Sequence, residues 1–451
     1  MLRASGGNPM GGDARPAGAD PIVPPRRSRR FERRRRDAIV ARMFSTLALL
    51  SLASLSSLSP AVSDEHDLVV RKDGKQVECR VLLETDAKVV YRAKGKTVEV
   101  PRAEVSEVQS LERGLREYLA RFEKIDPHDV AALTDLAQFA EAHALPGEAR
   151  STWLRVLSVD PVNEKAWTQL GGLKRRDGWE LKVRGRFYSL DELRTRVADW
   201  KNALELPTAH FLLRTDGKPE RALDAAIDLE RAWCTFYDVI GKPLDLYAFD
   251  ELPEVNVYAD PKDYPAPPTQ GMAAWFDRSA NTLNVNLTQS SDSGTIVAEL
   301  VDTLVFNSFR RTLGRAGEIE PWARKGLSYA FAAAVRPSPG RVSFEFQTPY
   351  TPHFAAQARD EKPLTLEKVL RAGFASFDSG SDGARYVAQS YTLVHFLAFY
   401  EQGKYRAGFA DFLRRSYLGK GGTSNFYEAL GADEKTLQEQ WTGYVKSVAG
   451  A

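Results

Sequence analysis

Apolar and polar positions alternate with a period of two between residues 66 and 108. The runs "DLVVR", "QVECRVLLE", "KVVYRA" and "KTVEVP" are rich in β-branched residues, and turn chemistry separates them at Lys72-Asp73-Gly74, Thr85-Asp86 and Lys94-Gly95. Hairpins this closely spaced predict a small β module over residues 64–108, a strongly curved sheet or barrel-like unit. Near residue 110 the period lengthens to that of a helix and stays so to about residue 176.

Two amphipathic segments, "VAALTDLAQFAEAHAL" and "GEARSTWLRVLSV", lie between Asp126-Pro127 and Asp160-Pro161, which stand 34 residues apart. Proline suits a first helical turn and cannot continue a preceding helix, so each Asp-Pro is expected to close one helix and open the next. Residues 109–176 thus resemble one tetratricopeptide unit and half of another, the second opening at "VNEKAWTQLGGL". A helical connector packed on its neighbours fits the same letters. The stretch 177–206, with a helix start at Ser189, is expected to be a hinge.

The last domain spans 207–451. "AHFLLRTD" predicts a strand, and "KPERALDAAIDLERAWCTFYDVIG" a helix with Pro219 in its first turn and Gly241 just past its end. "EVNVYAD" predicts another strand. "GMAAWFDRSANTLNVNL" predicts a hairpin with Leu283, Val285 and Leu287 on one face and Asn284 and Asn286 on the other. Everything after residue 293 is expected to be helical. The fold class is multidomain α+β, with a β-barrel-like module, tetratricopeptide-like helices, and a mixed sheet followed by helices.

Composition alters this picture only at the front. With 43% hydrophobic and 27% charged residues the 451-residue chain is of globular type. Residues 1–63 depart from it: a Gly/Pro-rich stretch leads into "RRSRRFERRRRDAIVAR" and then the apolar run "MFSTLALLSLASLSSLSP". This order predicts a disordered arginine-rich leader and a secretory signal peptide cleaved near Ser63, hence a periplasmic or extracellular protein. Met43 is a second candidate start, and the apolar run is too short and serine-rich to predict a stable membrane span. The leader holds eleven arginines against four acids, so the chain beyond it carries −5 against +2 for the whole, which excludes nucleic acid as an expected partner. Cys79 and Cys234 are the only cysteines; they are expected to be small buried residues, with a disulfide left open.

The candidate chemistry lies in "TIVAELVDTLVFNSF", residues 295–309, and in "EPWARKGLSYAFAA", residues 320–333. Together with the strand-helix-strand opening, the hairpin from Gly271, the helix "YVAQSYTLVHFLAFY" and the closing "YEALGADEKTLQEQWTGYVK", they resemble the exported gluzincin-type zinc metallopeptidases. In that family an H-E-x-x-H helix supplies two histidines and a general-base glutamate, and a P-x-W-x-x-E-G segment supplies a third ligand. The resemblance puts Glu299 at the motif glutamate, Ala298 and Asp302 at the histidines, and Lys325 at the third ligand, with Trp322 and Gly326 flanking it.

Alanine and lysine cannot hold zinc, so the resemblance implies a degenerate site, with no metal and no cofactor expected. Glu299 and Asp302 are three residues apart and share a helix face. An ion pair or triad of Lys325 with these two acids is expected in place of the metal. The six histidines, His66, His128, His143, His210, His353 and His395, nowhere show helical ligand spacing, and a site built in space from His353 and His395 is the remaining metal alternative. No G-x-S-x-G, P-loop, G-x-G-x-x-G or C-x-x-C occurs.

The expected function is therefore binding of a protein or peptide by an inactive peptidase-like domain. Its expected peptide-binding edge is Gly271, Met272, Ala273, Ala274, Trp275 and Phe276, where Trp275 and Phe276 either form pockets or pack in the core. An active metal-dependent peptidase with a non-standard site, and a scaffold acting through the tetratricopeptide-like segment, are the alternatives.

Overall fold

The structure is a computed structural model that describes residues 67–450 apart from 177, 184, 250, 269, 288–292, 316, 334, 339–340, 345–350 and 378–379. The expected leader and signal peptide lie outside the described residues. The described chain is mixed α/β, with fifteen α-helices and several sheets.

The first sheet contains β1 (Asp67–Arg71), β2 (Gln76–Glu84), β3 (Lys88–Ala93), β4 (Lys96–Pro101) and β5 (Val105–Gln109) in the order β4-β3-β2-β1-β5. The turns fall where Gly74 and Gly95 supply positive φ. The barrel-like expectation is corrected: β4 and β5 end the sheet unpaired with each other, so it stays open. Burial on both faces explains this. Val69, Cys79, Val81, Val89 and Tyr91 pack in a core of the module's own, while Leu82, Leu83 and Val90 pack into the main core. A bulge between Val81 and Leu83 accompanies the switch of face. Leu82 also accepts hydrogen bonds from Ala248 N and from the Tyr237 hydroxyl, both at 2.7 Å.

Four helices follow: α1 (Leu111–Phe122), α2 (Val130–Ala142), α3 (Pro146–Val159) and α4 (Glu164–Gln169). The Asp-Pro pairs do not open helices as expected. They lie in the linkers, and the caps are Asp129, which accepts from Ala132 N, and Asn163, which accepts from Ala166 N. The proline that does occupy a first turn is Pro146. The second repeat stops after six helical residues.

The stretch expected as a hinge contains regular structure. β6 (Leu173–Arg175), β7 (Gly178–Val183) and β8 (Arg186–Tyr188) form an antiparallel meander, and α5 (Leu190–Val197) begins at Ser189 in a capping box with Glu192. β9 (Leu204–Pro207) then joins the second five-stranded sheet, antiparallel to β10 (Leu212–Thr215).

From β10 the chain runs through α6 (Pro219–Phe236) to β11 (Glu254–Tyr258), parallel to β10. Gly241 ends a short π-type turn continuing α6, where a Cβ would meet the Tyr237 ring at 2.4 Å. β12 (Ala274–Asp277) and β13 (Thr282–Asn286) form the expected hairpin, and the order β12-β13-β11-β10-β9 leaves β12 at the edge. The expected polar face of β13 is corrected. All five of its residues are buried, Asn284 accepts from the Tyr258 hydroxyl at 3.2 Å, and Leu287 rather than the asparagines is exposed.

α7 (Ser293–Leu313) and α8 (Pro321–Ala333) come next. An antiparallel pair, β14 (Val335–Ser338) and β15 (Arg341–Phe344), interrupts the stretch expected to be wholly helical. The remainder is α9 (Thr351–Arg359), α10 (Leu366–Leu370), α11 (Phe374–Phe377), α12 (Gly380–Phe399), α13 (Arg406–Tyr417), α14 (Thr423–Leu430) and α15 (Glu434–Ala449). One core runs from Leu82 through Trp233, Phe309 and Trp322 to Val445. Cys79 and Cys234 are both buried.

Candidate functional site

α7 is a poor amphipath because it is buried nearly all round from Leu300 to Phe309. Four polar residues, Asp302, Thr303, Asn307 and Ser308, lie inside that stretch. Each needs a partner, since an unmet buried polar group costs about 1–3 kcal/mol. Thr303 donates to the Glu299 carbonyl at 2.9 Å, and Asn307 Nδ2 donates to Asn281 Oδ1 in the β12–β13 turn at 2.9 Å. The second of these bonds ties the hairpin to the helix.

α8 crosses close by, with Ser328 Oγ donating to the carbonyl of Ala298 at 3.3 Å. Its rotation is fixed from the far side. Trp322 and Ala323 are fully buried, and a Cβ on Gly326 would stand 2.6 Å from the Ser390 carbonyl oxygen of α12. Gly326 is thus required for helix packing.

This geometry corrects the expected ion pair. Asp302, 2% exposed, does not pair with Lys325. It accepts from Arg278 Nη2 at 3.0 Å and from Arg324 Nη2 at 2.5 Å. Arg278 comes from the β12–β13 turn and also reaches Glu318; Arg324 lies over the Phe374 ring at 5.2 Å. Lys325 is half-buried and makes no salt bridge to either acid, and it acts on Glu299 only as a nearby charge.

Glu299 Oε2 accepts the backbone N–H of Phe276 at 3.2 Å. Burial raises the Glu299 pKa above the ordinary carboxylate value, and the negative charge of Asp302 adds to this; Arg324, Lys325 and the Phe276 N–H oppose it. Ala298 offers no side-chain ligand.

The expected peptide-binding edge is shorter than its six residues. Gly271, at φ +87°, makes the turn before the strand, and the carbonyl of Met272 accepts from the Tyr264 hydroxyl at 3.0 Å. Ala273 accepts from Asn286 N, and Trp275 and Asp277 lie opposite Asn284 and Thr282 on β13, so Ala274 and Phe276 turn their backbone groups outward. The outward N–H of Phe276 is the one bound to Glu299, and Ala274, the other outward position, is fully buried in the main core. The Phe276 side chain packs in the core against Phe306, at 5.4 Å between centroids, and Trp275 is half-buried.

His353 and His395 flank Tyr391, at 5.3 and 6.1 Å between centroids. His395 shares a hydrogen bond with the Tyr444 hydroxyl through Nδ1, and burial lowers its pKa to about 4. Among the described residues no three His, Cys, Asp or Glu side chains converge as a metal site would require. A cavity of about 300 Å³ is lined by Leu327, Val394, His395 and Arg406, but by none of Glu299, Asp302, Arg324 and Lys325.

The residues that sequence reasoning missed are Arg278 and Arg324. Arg324 is adjacent to the position singled out, and Arg278 lies two residues past the predicted edge; neither carries a signal of its own. No helix among the described residues is long and apolar enough to cross a membrane. Compared with known proteins, the chain matches no family model and no curated sequence.

Proposed function

We propose that residues 207–451 keep the frame of a gluzincin-type metallopeptidase and use it to bind a protein or peptide without cleaving it, in a protein exported by its N-terminal signal. The observation that carries this is the clamp on Asp302: at the position of the second histidine stands a buried carboxylate already neutralised by Arg278 and Arg324. A metal cation there would meet two fixed positive charges. Peptide binding needs no metal, because an edge strand pairs with an extended chain through backbone groups. The edge strand β12 would supply these once uncovered, for Ala274 and Phe276 turn their backbone groups outward but Ala274 is fully buried and Glu299 holds the Phe276 N–H.

The test uses β-casein as an extended, generic chain. Binding measured by calorimetry is expected to survive chelator and to change at least threefold in Glu299→Gln, which alters the hold on the Phe276 N–H of the edge strand. Zinc-stimulated cleavage of the casein would overturn the proposal.

A further inference from the structure

A second polar cluster, far from Asp302 in sequence, lies where the helical segment meets the second sheet. Glu148, in the first turn of α3, is 4% exposed, and Glu230 on α6 and His210 before β10 are each 1% exposed. Both glutamates grip the same tripeptide between β9 and β10. Glu148 Oε1 accepts from Ala209 N at 2.8 Å; Glu230 accepts from His210 N at 2.7 Å, from the Thr208 hydroxyl at 2.5 Å and lies 2.8 Å from His210 Nδ1. The contact leaves no slack, for a Cβ on Gly147 would sit 2.2 Å from the Pro207 carbonyl oxygen.

The two acids are not equivalent. Three donors converge on Glu230, which suits an anion, and His210 is held in place by stacking on Trp233 at 3.5 Å. Glu148 has one backbone donor, and its Oε2 has no partner. The Ser151 hydroxyl, 3% exposed, also lacks one. Tyr118, Glu148, Ser151, Thr208 and Glu230 line a cavity of about 10 Å³, the size of a single water.

Basic groups do not supply the missing charge. Arg155 and Arg231, which act on Tyr118 from α3 and α6, pair with Asp224 and with Asp228 and Glu123. The Tyr118 hydroxyl itself bonds Thr152 at 2.7 Å.

We propose that Glu148 is a proton-binding site: a neutral acid, hydrogen-bonded through its proton to a water shared with Ser151 and the Glu230 carboxylate, which locks the helical segment onto the strand junction 207–210. Two buried carboxylates facing one cavity without a cation cannot both ionise cheaply. Burial first, and then the charge of Glu230, push Glu148 up to about 8.

A raised folded-state pKa means that the lock contributes fully below the ordinary glutamate value of 4.5 and is lost as pH rises through about 8. Above that, two anions face each other across the junction and the helical segment loosens.

The test compares the whole chain with Glu148→Gln, which mimics the neutral acid. The stability of the native chain relative to the variant is expected to fall steadily between pH 4.5 and 8 and then level off. Infrared difference spectra of the native chain are expected to show a protonated carboxyl band that disappears with a midpoint near pH 8 and is absent from Glu148→Gln. Parallel stability profiles, or no protonated carboxyl titrating near 8, would overturn the proposal. The band decides alone should the variant not fold.

Discussion

Arg324 Nη2 stands 2.5 Å from Asp302 Oδ2, and the carboxylate it meets is almost wholly buried. Arg278 completes the clamp from the β12–β13 turn. Lys325, one residue along, is about 100° further round the helix and makes neither contact. Removing a partner from a buried pair leaves an uncompensated charge. Arg324→Ala is therefore expected to destabilise the chain by about 2 kcal/mol, less than the full cost of a bare charge because Arg278 remains. Lys325→Ala should change stability by no more than about 0.5 kcal/mol. Urea denaturation of both variants checks the order, and a larger loss for Lys325→Ala would restore the lysine to the role expected from sequence.

Gly326 and Gly443 offer a matched pair inside helices. A methyl on Gly326 collides with the Ser390 carbonyl at 2.6 Å, whereas nothing lies within 4 Å of one on Gly443. Gly326→Ala is expected to cost about 1–3 kcal/mol by overpacking. Gly443→Ala should add up to about 1 kcal/mol, the helix preference of alanine over glycine. Equal melting temperatures would show that α8 and α12 have room to part.

Glu299 is desolvated beside Asp302, and both effects disfavour its charged form. Glu299→Gln keeps an acceptor for the Phe276 N–H and removes the charge. It is expected to be neutral or mildly stabilising at pH 7, by at most about 1 kcal/mol. If Glu299 shields the edge strand, the same variant alters casein affinity while leaving the melting temperature within a few degrees.

How much of this was legible in the letters depends on what each element answers to. The β1–β4 hairpins and α6 announce themselves by local chemistry, through turn residues, period and the first-turn proline Pro219. The open first sheet does not, because a bulge that no periodicity encodes accompanies the burial of the successive residues Leu82 and Leu83 in the same main core. The pairing of β9 with β10 and of β14 with β15 depends on contacts outside the windows a pattern can see. Sequence placed Glu299 and Asp302 on one helix and brought α7 to α8. It could not choose Arg324 over Lys325, since the rotation of α8 is set by Trp322, Ala323 and Gly326 packing on its opposite side.

Acid should weaken the C-terminal helices through His395. Burial holds its pKa at about 4 against 6.5 in the open, so the unfolded chain binds the proton first. The sign follows: the contribution is intact above pH 6.5 and is lost as pH falls towards 4. The interval corresponds to about 3 kcal/mol. His395→Gln should flatten the stability profile between pH 6.5 and 4, measured by denaturant midpoints, and an unchanged profile would mean that the imidazole charges freely.

The central claim is that arginine has taken the place of the metal around Asp302. The most direct measurement is zinc stoichiometry by mass spectrometry on the purified chain, after dialysis against micromolar zinc and then against buffer. The account predicts far less than one zinc per chain, unchanged by Glu299→Gln. One tightly held zinc per chain, removed by chelator and lost in Glu299→Gln, would contradict it.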